Sequence, residues 1–469
     1  MGTPERPVPR SGTMARLWTG EGARLGISGN LRRRPLQLIV LGFAGAVLVG
    51  TALLELPVSS AGSGPGLLAS LFTATSAVCV TGLVVVHTST AWSGFGQVVI
   101  LALIQVGGFG IMTLASLVAM LVSRRLGLQT RLTAAASTRS VGLGDVRSVL
   151  VRVARVTVVI ELLVAAILTV RWMIGYHQPF GRAAWWGVFH AVSAFNNAGF
   201  ALWPDSLERY ATDAWICLPI AAAVLVGGLG FPVLFELWSR HRRPGRWSLH
   251  TKLTMLMTAI LVPLGMFFVL AAEWNNPGTL GALSVPGRFL AAFVQGVMPR
   301  TAGFTVLDPA AIHQGTWLGT DVLMFIGGGS ASTAGGIKMT TFAVLGAVIW
   351  SELRGDPDVT FFDRRIAPSA QRQAAAVALV GVAAVIVPTI AIDLTSTLPL
   401  DQILVEVVSA SATVGLSTGI TSDLVPWHQV LLVVLMFAGR LGSITLGASL
   451  ALRERARVVR RPEGAPLIG

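Results

Sequence analysis

Four glycines, Gly82, Gly199, Gly303 and Gly415, each stand in a short tetrad at the end of a moderately apolar stretch: Val80-Thr81-Gly82-Leu83, Asn197-Ala198-Gly199-Phe200, Thr301-Ala302-Gly303-Phe304 and Thr413-Val414-Gly415-Leu416. They lie 117, 104 and 112 residues apart. Glycine admits backbone conformations closed to other residues, so its carbonyl can point where a side chain would otherwise intrude. Backbone oxygens held at suitable distance and number replace the hydration shell of a small cation. Four such turns at near-constant spacing predict one ring of carbonyls built from a single chain. The ring residues are Val80, Thr81, Gly82, Asn197, Ala198, Gly199, Thr301, Ala302, Gly303, Thr413, Val414 and Gly415. The hydroxyls of Thr81, Thr301 and Thr413 are either extra ligands or bonded to backbone within the turn.

A second glycine series follows each tetrad glycine by 24 to 28 residues: Gly107-Gly108-Phe109-Gly110, Gly227-Gly228-Leu229-Gly230, Gly327-Gly328-Gly329 and Gly439-Arg440-Leu441-Gly442. In the first two, small residues are read as close helix packing. The third continues through Ser330, Ala331, Ser332, Thr333, Ala334, Gly335 and Gly336. Ten small residues in a row are poor helix material, since Gly costs ~1 kcal/mol against Ala at each helical position. Trp317 to Trp350 is 34 residues, ~51 Å as one helix, against a hydrocarbon core of ~30 Å. A helix broken by an unwound mid-membrane loop resolves both problems, and such a loop below a ring is a natural gate. Arg440 and Lys338 are the two cations inside apolar runs, where charge is costly and usually functional. Arg440 either raises a barrier beside a cation path and holds the loop through its carbonyls, or pairs with a buried acid or a helix C-terminus for structure. Lys338, at the loop's end, either shares that role or snorkels toward the cytosol.

The elements that must position these groups follow from composition. Of 469 residues, 53% are hydrophobic and 12% charged, whereas soluble chains carry roughly 25% charged residues. Long apolar runs, such as 36–54, 98–122, 374–392 and 430–450, approach or exceed the ~20 residues that cross a bilayer as a helix. The net charge of +13 does not indicate nucleic acid. Of 35 Lys and Arg, 28 fall in residues 1–35, 124–155, 240–252, 351–372 and 453–461. Arg171, Arg182, Arg209, Arg288 and Arg300 are scattered over the intervening hydrophilic stretches. That alternation is the positive-inside pattern, with both termini cytoplasmic. The Arg32-Arg33-Arg34 cluster suits anionic lipid.

Five inside segments enclose four blocks of one plan: a spanning segment, a short segment of 10 to 14 residues too short to span, the tetrad, and a second spanning segment. The expected fold is all-α and polytopic, with four such repeats in pseudo-fourfold arrangement around a central pore and eight spanning helices. The divisions are a flexible basic N-terminus (1–35), repeat 1 (36–123), a loop with repeat 2 (124–239), a loop with repeat 3 and its broken inner helix (240–350), a loop with repeat 4 (351–452) and a tail (453–469). The second inner span is expected to run unbroken from about 213 to 239.

The strings TSAVCVTGL (75–83), FNNAGF (195–200), PRTAGF (299–304), SATVGLSTG (411–419), GGGSASTAGGIK (327–338) and GRLGSITL (439–446) resemble the Trk/Ktr/HKT superfamily of potassium transporters, most closely the bacterial membrane-spanning Ktr subunit. The resemblance covers about 35–453. It implies four M1–pore helix–M2 units, a filter at Gly82, Gly199, Gly303 and Gly415, and channel-like potassium uptake across the plasma membrane. It implies potassium at Thr81 and the four glycines, with sodium as a second candidate ion and no covalently bound cofactor. It also implies homodimers seated on a cytosolic ring of nucleotide-binding regulatory subunits. A serine at the first glycine goes with sodium preference in this superfamily, so Gly82 points to potassium. The tetrads lack a full TVGYG string, which implies weaker selectivity than in a potassium channel.

Among the remaining polar residues, Asn196 and Asn197 are expected to brace the second tetrad through hydrogen bonds. Asp308 and Asp423 fall near the outer mouth, as solvated loop acids or as cation-concentrating charges. Glu161, after Arg152 and Arg155, is expected in an internal ion pair. Cys79, Cys217 and seven scattered His form no metal-ligand spacing. An intramembrane enzyme ranks last, for want of paired aspartates or an HExxH motif. An alternating-access carrier remains the competing reading, because broken helices and repeats occur there too. Carriers, however, usually carry inverted or twofold repeats, and here the repeat is fourfold in one orientation.

Overall fold

The computed structural model describes residues 35–62, 64–131 and 143–452. The basic N-terminal segment through Arg34, including the Arg32-Arg33-Arg34 cluster expected to meet anionic lipid, and the tail 453–469 lie outside the described residues. Two compact units divide the chain, Met1–Gly42 and Phe43–Gly469, and the second carries every tetrad.

In chain order the main helices are α1 (Pro35–Leu54), α2 (Leu67–Val78), α3 (Gly94–Arg131), α4 (Leu143–Tyr176), α5 (Phe180–Phe195), α6 (Ala214–Leu229), α7 (Phe231–Arg240), α8 (Leu249–Glu273), α9 (Val285–Val297), α10 (Gln314–Phe325), α11 (Met339–Arg354), α12 (Pro368–Asp393), α13 (Leu400–Ala412) and α14 (Pro426–Leu452). A two-residue antiparallel ladder, Thr360–Phe361 with Arg364–Arg365, supplies the strand content of the described residues. Among the described residues four helices, within α3, α4, α8 and α12, are long and apolar enough to cross a membrane; the count is five if α6 and α7 form one bent span. Large apolar side chains such as Ile174 on α4 and Leu379 on α12 are exposed, as lipid-facing helices require.

The short helices α2, α5, α9 and α13 have 12, 16, 13 and 13 residues, all below the ~20 needed to span. Each is wedged among longer helices: α2 against α3 and α14, α5 against α4 and α6, α9 against α8 and α6, α13 against α12, α14 and α10. Their second halves are almost wholly buried and rich in Ala, Ser, Thr and Gly, which is what lets a helix approach neighbours on several sides. Caps fix several entries. Asp213 accepts the Trp215 N–H at the start of α6 and also pairs with Arg171 at 2.8 Å, tying α4 to α6. Ser248 accepts from Thr251 N–H at the start of α8.

The third inner helix is broken as expected, between Phe325 and Met339. The second inner helix departs from expectation. It ends at Leu229 and resumes at Phe231 after a 99° bend. Gly230 adopts φ 93°, a conformation that strains other residues, and Pro232, in the first turn of α7, has no N–H to continue the α6 ladder. The glycine stretches of α3 and α14 stay helical. Close packing is their role: a Cβ on Gly107, Gly227 or Gly439 would lie 2.0 Å from the carbonyl oxygen of Val78, Phe195 or Ser411, each on the short helix of the same block.

A glycine ring above a broken helix as the candidate functional site

The chain turns back at the end of each short helix, and the four turns share one conformation. The first tetrad residue has positive φ in every case (Val80 55°, Asn197 59°, Thr301 64°, Thr413 51°), and so does the glycine (Gly82 99°, Gly199 71°, Gly303 74°, Gly415 97°). Alternating the sign of φ in this way turns successive carbonyls toward one side rather than to opposite sides. The second residue's N–H bonds back to its own helix: Thr81 to Ser76 O at 2.8 Å, Ala198 to Ser193 O at 2.7 Å, Ala302 to Met298 O at 3.0 Å and Val414 to Ser409 O at 2.8 Å.

The turns meet in a closed ring. A Cβ on Gly82 would lie 2.5 Å from the Ala198 oxygen, on Gly199 2.9 Å from Ala302 O, on Gly303 2.6 Å from Val414 O, and on Gly415 2.2 Å from Thr81 O. Each glycine thus faces the carbonyl of the next tetrad, and the fourth returns to the first. No side chain larger than hydrogen fits between them.

Sequence reasoning missed the braces behind the ring. Ser76 Oγ accepts the Gly82 N–H at 3.0 Å and Ser409 Oγ the Gly415 N–H at 2.9 Å, while Ser193 Oγ donates to Phe200 O at 2.8 Å. The signal was available, because a serine stands six residues before three of the four glycines, with Val297 in the remaining repeat. Glu406 secures the fourth turn by accepting from Ser417 Oγ, from Thr421 Oγ1 at 2.8 Å and from Thr418 N–H at 3.2 Å. Glu161 does not make the ion pair expected of it. Its carboxylate accepts from Gln105 Nε2 at 3.3 Å and Asn196 Nδ2 at 3.0 Å, since the chain turn places two amides, not Arg152 or Arg155, against that face of α4. Asn196 therefore braces through side chains as well as through Val192 O, and Asn197 reaches across to the Arg300 carbonyl at 3.2 Å.

The inner loop between α10 and α11 lies against these turns. Gly329 N–H donates to Gly228 O at 2.8 Å, Thr333 N–H to Gly227 O at 3.3 Å and Gly335 N–H to Thr301 Oγ1 at 3.2 Å. Phe231 N–H, at the head of α7, donates to Ala331 O at 3.3 Å, and a Cβ on Gly230 would lie 2.5 Å from Ser330 O. The two helix breaks therefore complete each other: backbone groups freed in one are bonded by the other, which satisfies the requirement on non-helical backbone at membrane depth. Arg440, buried, donates to Thr333 O at 2.5 Å. Lys338 does not extend toward the cytosol. It folds back to donate to Ala334 O at 2.6 Å and Gly335 O at 3.3 Å. Ser332 Oγ closes the loop on Gly329 O at 2.6 Å, Gly327 N–H donates to Ile337 O at 2.9 Å, and Met339 N–H donates to Gly328 O at 3.1 Å.

Of the threonines, Thr301 binds the inner loop, whereas the buried Thr81 and Thr413 hydroxyls have no protein hydrogen-bond partner. Arg300 is not on an outer hydrophilic stretch. It is buried, with its guanidinium 3.3 Å from Met339 Sδ, because the residue before Thr301 is carried to the depth of the turn. Asp308 and Asp423 are exposed loop acids, Asp308 accepting the Ala310 N–H at 3.0 Å.

Helices with exposed apolar faces, short helices that end in buried turns, and a ring of carbonyls define a helical membrane transport protein. Its family is identifiable. The profile of TrkH, a cation transport protein family, matches residues 40–456, and the chain belongs to that family. The Ktr system potassium uptake protein B of Bacillus subtilis (strain 168) is 40% identical over 439 residues, 94% of this chain and 98% of the relative. Its counterpart in Vibrio alginolyticus is 36% identical over 92% of this chain and 94% of its own length. The potassium/sodium uptake protein NtpJ of Enterococcus hirae is 33% identical over 93% and 98%. The crystal structure of the potassium transporter TrkH from Vibrio parahaemolyticus superposes with a TM-score of 0.68 over 92% of this chain and 88% of that chain, at 18% identity, which shows the common fold.

Proposed function

We propose that the chain carries potassium ions into the cell across the plasma membrane, through a single pore whose filter is the ring of Val80–Gly82, Asn197–Gly199, Thr301–Gly303 and Thr413–Gly415. The observation that carries this reading is the closure of the ring, with each glycine against the next tetrad's carbonyl. A potassium ion exchanges its water for such oxygens at little cost when their number and spacing suit it. The Thr81 and Thr413 hydroxyls, buried and otherwise unbonded, are further candidate ligands. The short helices point their C-terminal ends at the ring, and the macrodipole there favours a cation. The names of the relatives support potassium as the ion, and that of the Enterococcus protein keeps sodium as a second.

In this reading the fold is four outer helix–pore helix–inner helix repeats with eight spans, arranged with pseudo-fourfold symmetry along the divisions given above, both termini cytoplasmic. The gate is the 327–336 loop with Lys338 and Arg440: it lies beneath the ring, and a buried guanidinium beside a cation path raises a barrier. A homodimer working with a cytosolic nucleotide-binding ring fits the Ktr system naming of the relatives. Growth of a potassium-uptake-deficient strain at low potassium tests the function. The wild-type chain, co-expressed with its regulatory subunit, is expected to rescue growth, and Gly82→Ser to lose potassium preference over sodium. No rescue by the wild type would sink the potassium reading.

A further inference from the structure

Thr333 is held from three directions by groups outside its own loop. Its N–H donates to Gly227 O at 3.3 Å, its carbonyl accepts from Arg440 at 2.5 Å, and its hydroxyl donates to Asn197 Oδ1 at 3.0 Å. The last bond touches the ring, since Asn197 is the first residue of the second tetrad. The other end of the Asn197 side chain donates from Nδ2 to the Arg300 carbonyl at 3.2 Å, one residue before the third tetrad. Thr301, the first residue of that tetrad, accepts from Gly335 N–H through its hydroxyl at 3.2 Å. A circuit results, running from the inner loop to tetrad two, across to tetrad three and back to the inner loop. The fourth tetrad touches the same loop, because a Cβ on Gly335 would lie 2.0 Å from Thr413 Oγ1. In the first tetrad the same position holds an apolar residue, Val80.

Asn197, Thr301 and Thr333 are each fully buried. A buried side-chain amide that loses a partner is left with an unsatisfied group, which is costly enough that it reorients instead. Asn197 has one partner on the inner loop and one on the residue that leads into the neighbouring tetrad. Withdrawal of Thr333 therefore disturbs the strap to Arg300, and with it the spacing between tetrads two and three.

We propose that Asn197 is a specificity-determining positioning residue that couples the inner loop to the ring. With Thr333 bonded to it, tetrads two and three are held at the spacing that discriminates among alkali cations, and selectivity is set by loop and ring together. This rests on the pore reading above and goes beyond it, because a gate that only blocks would leave selectivity untouched. The test is initial uptake of potassium and of sodium, measured separately, in proteoliposomes of the full chain. Thr333→Val keeps shape and removes the hydroxyl; its potassium-to-sodium uptake ratio is expected to fall by about fivefold, the scale of one lost hydrogen bond. Thr333→Ser keeps the hydroxyl and is expected to keep the wild-type ratio. Asn197→Ala combined with Thr333→Val is expected to shift the ratio no further than Asn197→Ala alone. Should Asn197→Ala not fold, the Thr333 pair carries the test. If Thr333→Val changes uptake of both ions by the same factor, Thr333 is a latch only and the coupling is overturned. Wild-type protein that takes up no potassium overturns the pore reading, and the coupling with it.

Discussion

The four tetrads and the inner loop are both irregular backbone in the buried interior of the helical bundle, yet they are held differently. Each tetrad bonds its amides to the helix that leads into it, as Thr81 does to Ser76 O and Val414 to Ser409 O, a few residues back in the chain. The inner loop has some bonds of its own, such as Ser332 to Gly329 O. It is also anchored from outside: by Gly227 and Gly228 on α6, Asn197 and Thr301 on two tetrads, and Arg440 on α14. Bonds between near neighbours in sequence are fixed once the helix forms. Bonds between elements distant in sequence break when those elements shift. A segment of the first kind suits a filter and one of the second kind a gate.

The largest expected effect strikes the rigid partner. In Gly415→Ala the new Cβ would lie 2.2 Å from the Thr81 oxygen at a φ of 97°, and the turn has no slack to give, being bonded to its own helix. Potassium uptake in proteoliposomes is expected to fall at least about tenfold, since overpacking and left-handed strain each cost on the order of 1–3 kcal/mol. Size-exclusion and thermal unfolding of the purified protein separate a blocked ring from a misfolded one. Near-normal uptake by a folded Gly415→Ala protein would mean that the ring is not the path.

Gly230→Ala strikes the outside anchors. Its Cβ would meet Ser330 O at 2.5 Å, and Ser330 belongs to the loop proposed to move as a gate. Uptake without an activating partner is therefore expected to rise, by roughly threefold to tenfold if one or two loop hydrogen bonds are lost. Uptake reduced as severely as in Gly415→Ala would show the loop to be as rigid as the ring, and the distinction between the two segments would collapse.

The same difference explains what was legible in the sequence. The tetrads, the short helices and the broken third inner helix could all be read from spacing and composition, because local bonding leaves a local signature. Ser76, Ser193 and Ser409 belong to that class and were overlooked despite their constant offset. From sequence alone, the glycine-rich stretch 227–230 reads as helix packing. Its glycines do pack, as Gly227 does on Phe195 O, but what unwinds the helix is a loop about a hundred residues further along the chain, by count. Glu161 was misassigned for a related reason. Arg152 and Arg155 are near in sequence, whereas Gln105 and Asn196 reach it only through the fold. Arg300 likewise looked like an outer residue until the turn carried it inward.

The smallest expected effect comes from outside both segments, and it shows whether anything titratable touches them. Neither the tetrads nor residues 327–338 contain Asp or Glu. In the connection between α5 and α6, which the proposed topology puts at the outer mouth, partial burial and then the carboxylates of Asp308 and Asp205 push Glu208 up to about 7. Glu208 is therefore mostly ionised at an external pH of about 8 and mostly protonated at about 6. Lowering the external pH across this range removes one negative charge that concentrates cations, without altering ring or loop. The apparent KM for potassium is expected to rise by less than about twofold at 0.15 M salt, where the Debye length is ~8 Å, and by more at low ionic strength. Maximal uptake should not change, and Glu208→Gln should flatten the dependence. A fall in maximal uptake that persists in Glu208→Gln would place a titrating group against the ring or the loop, and each would then answer to more than its own hydrogen bonds.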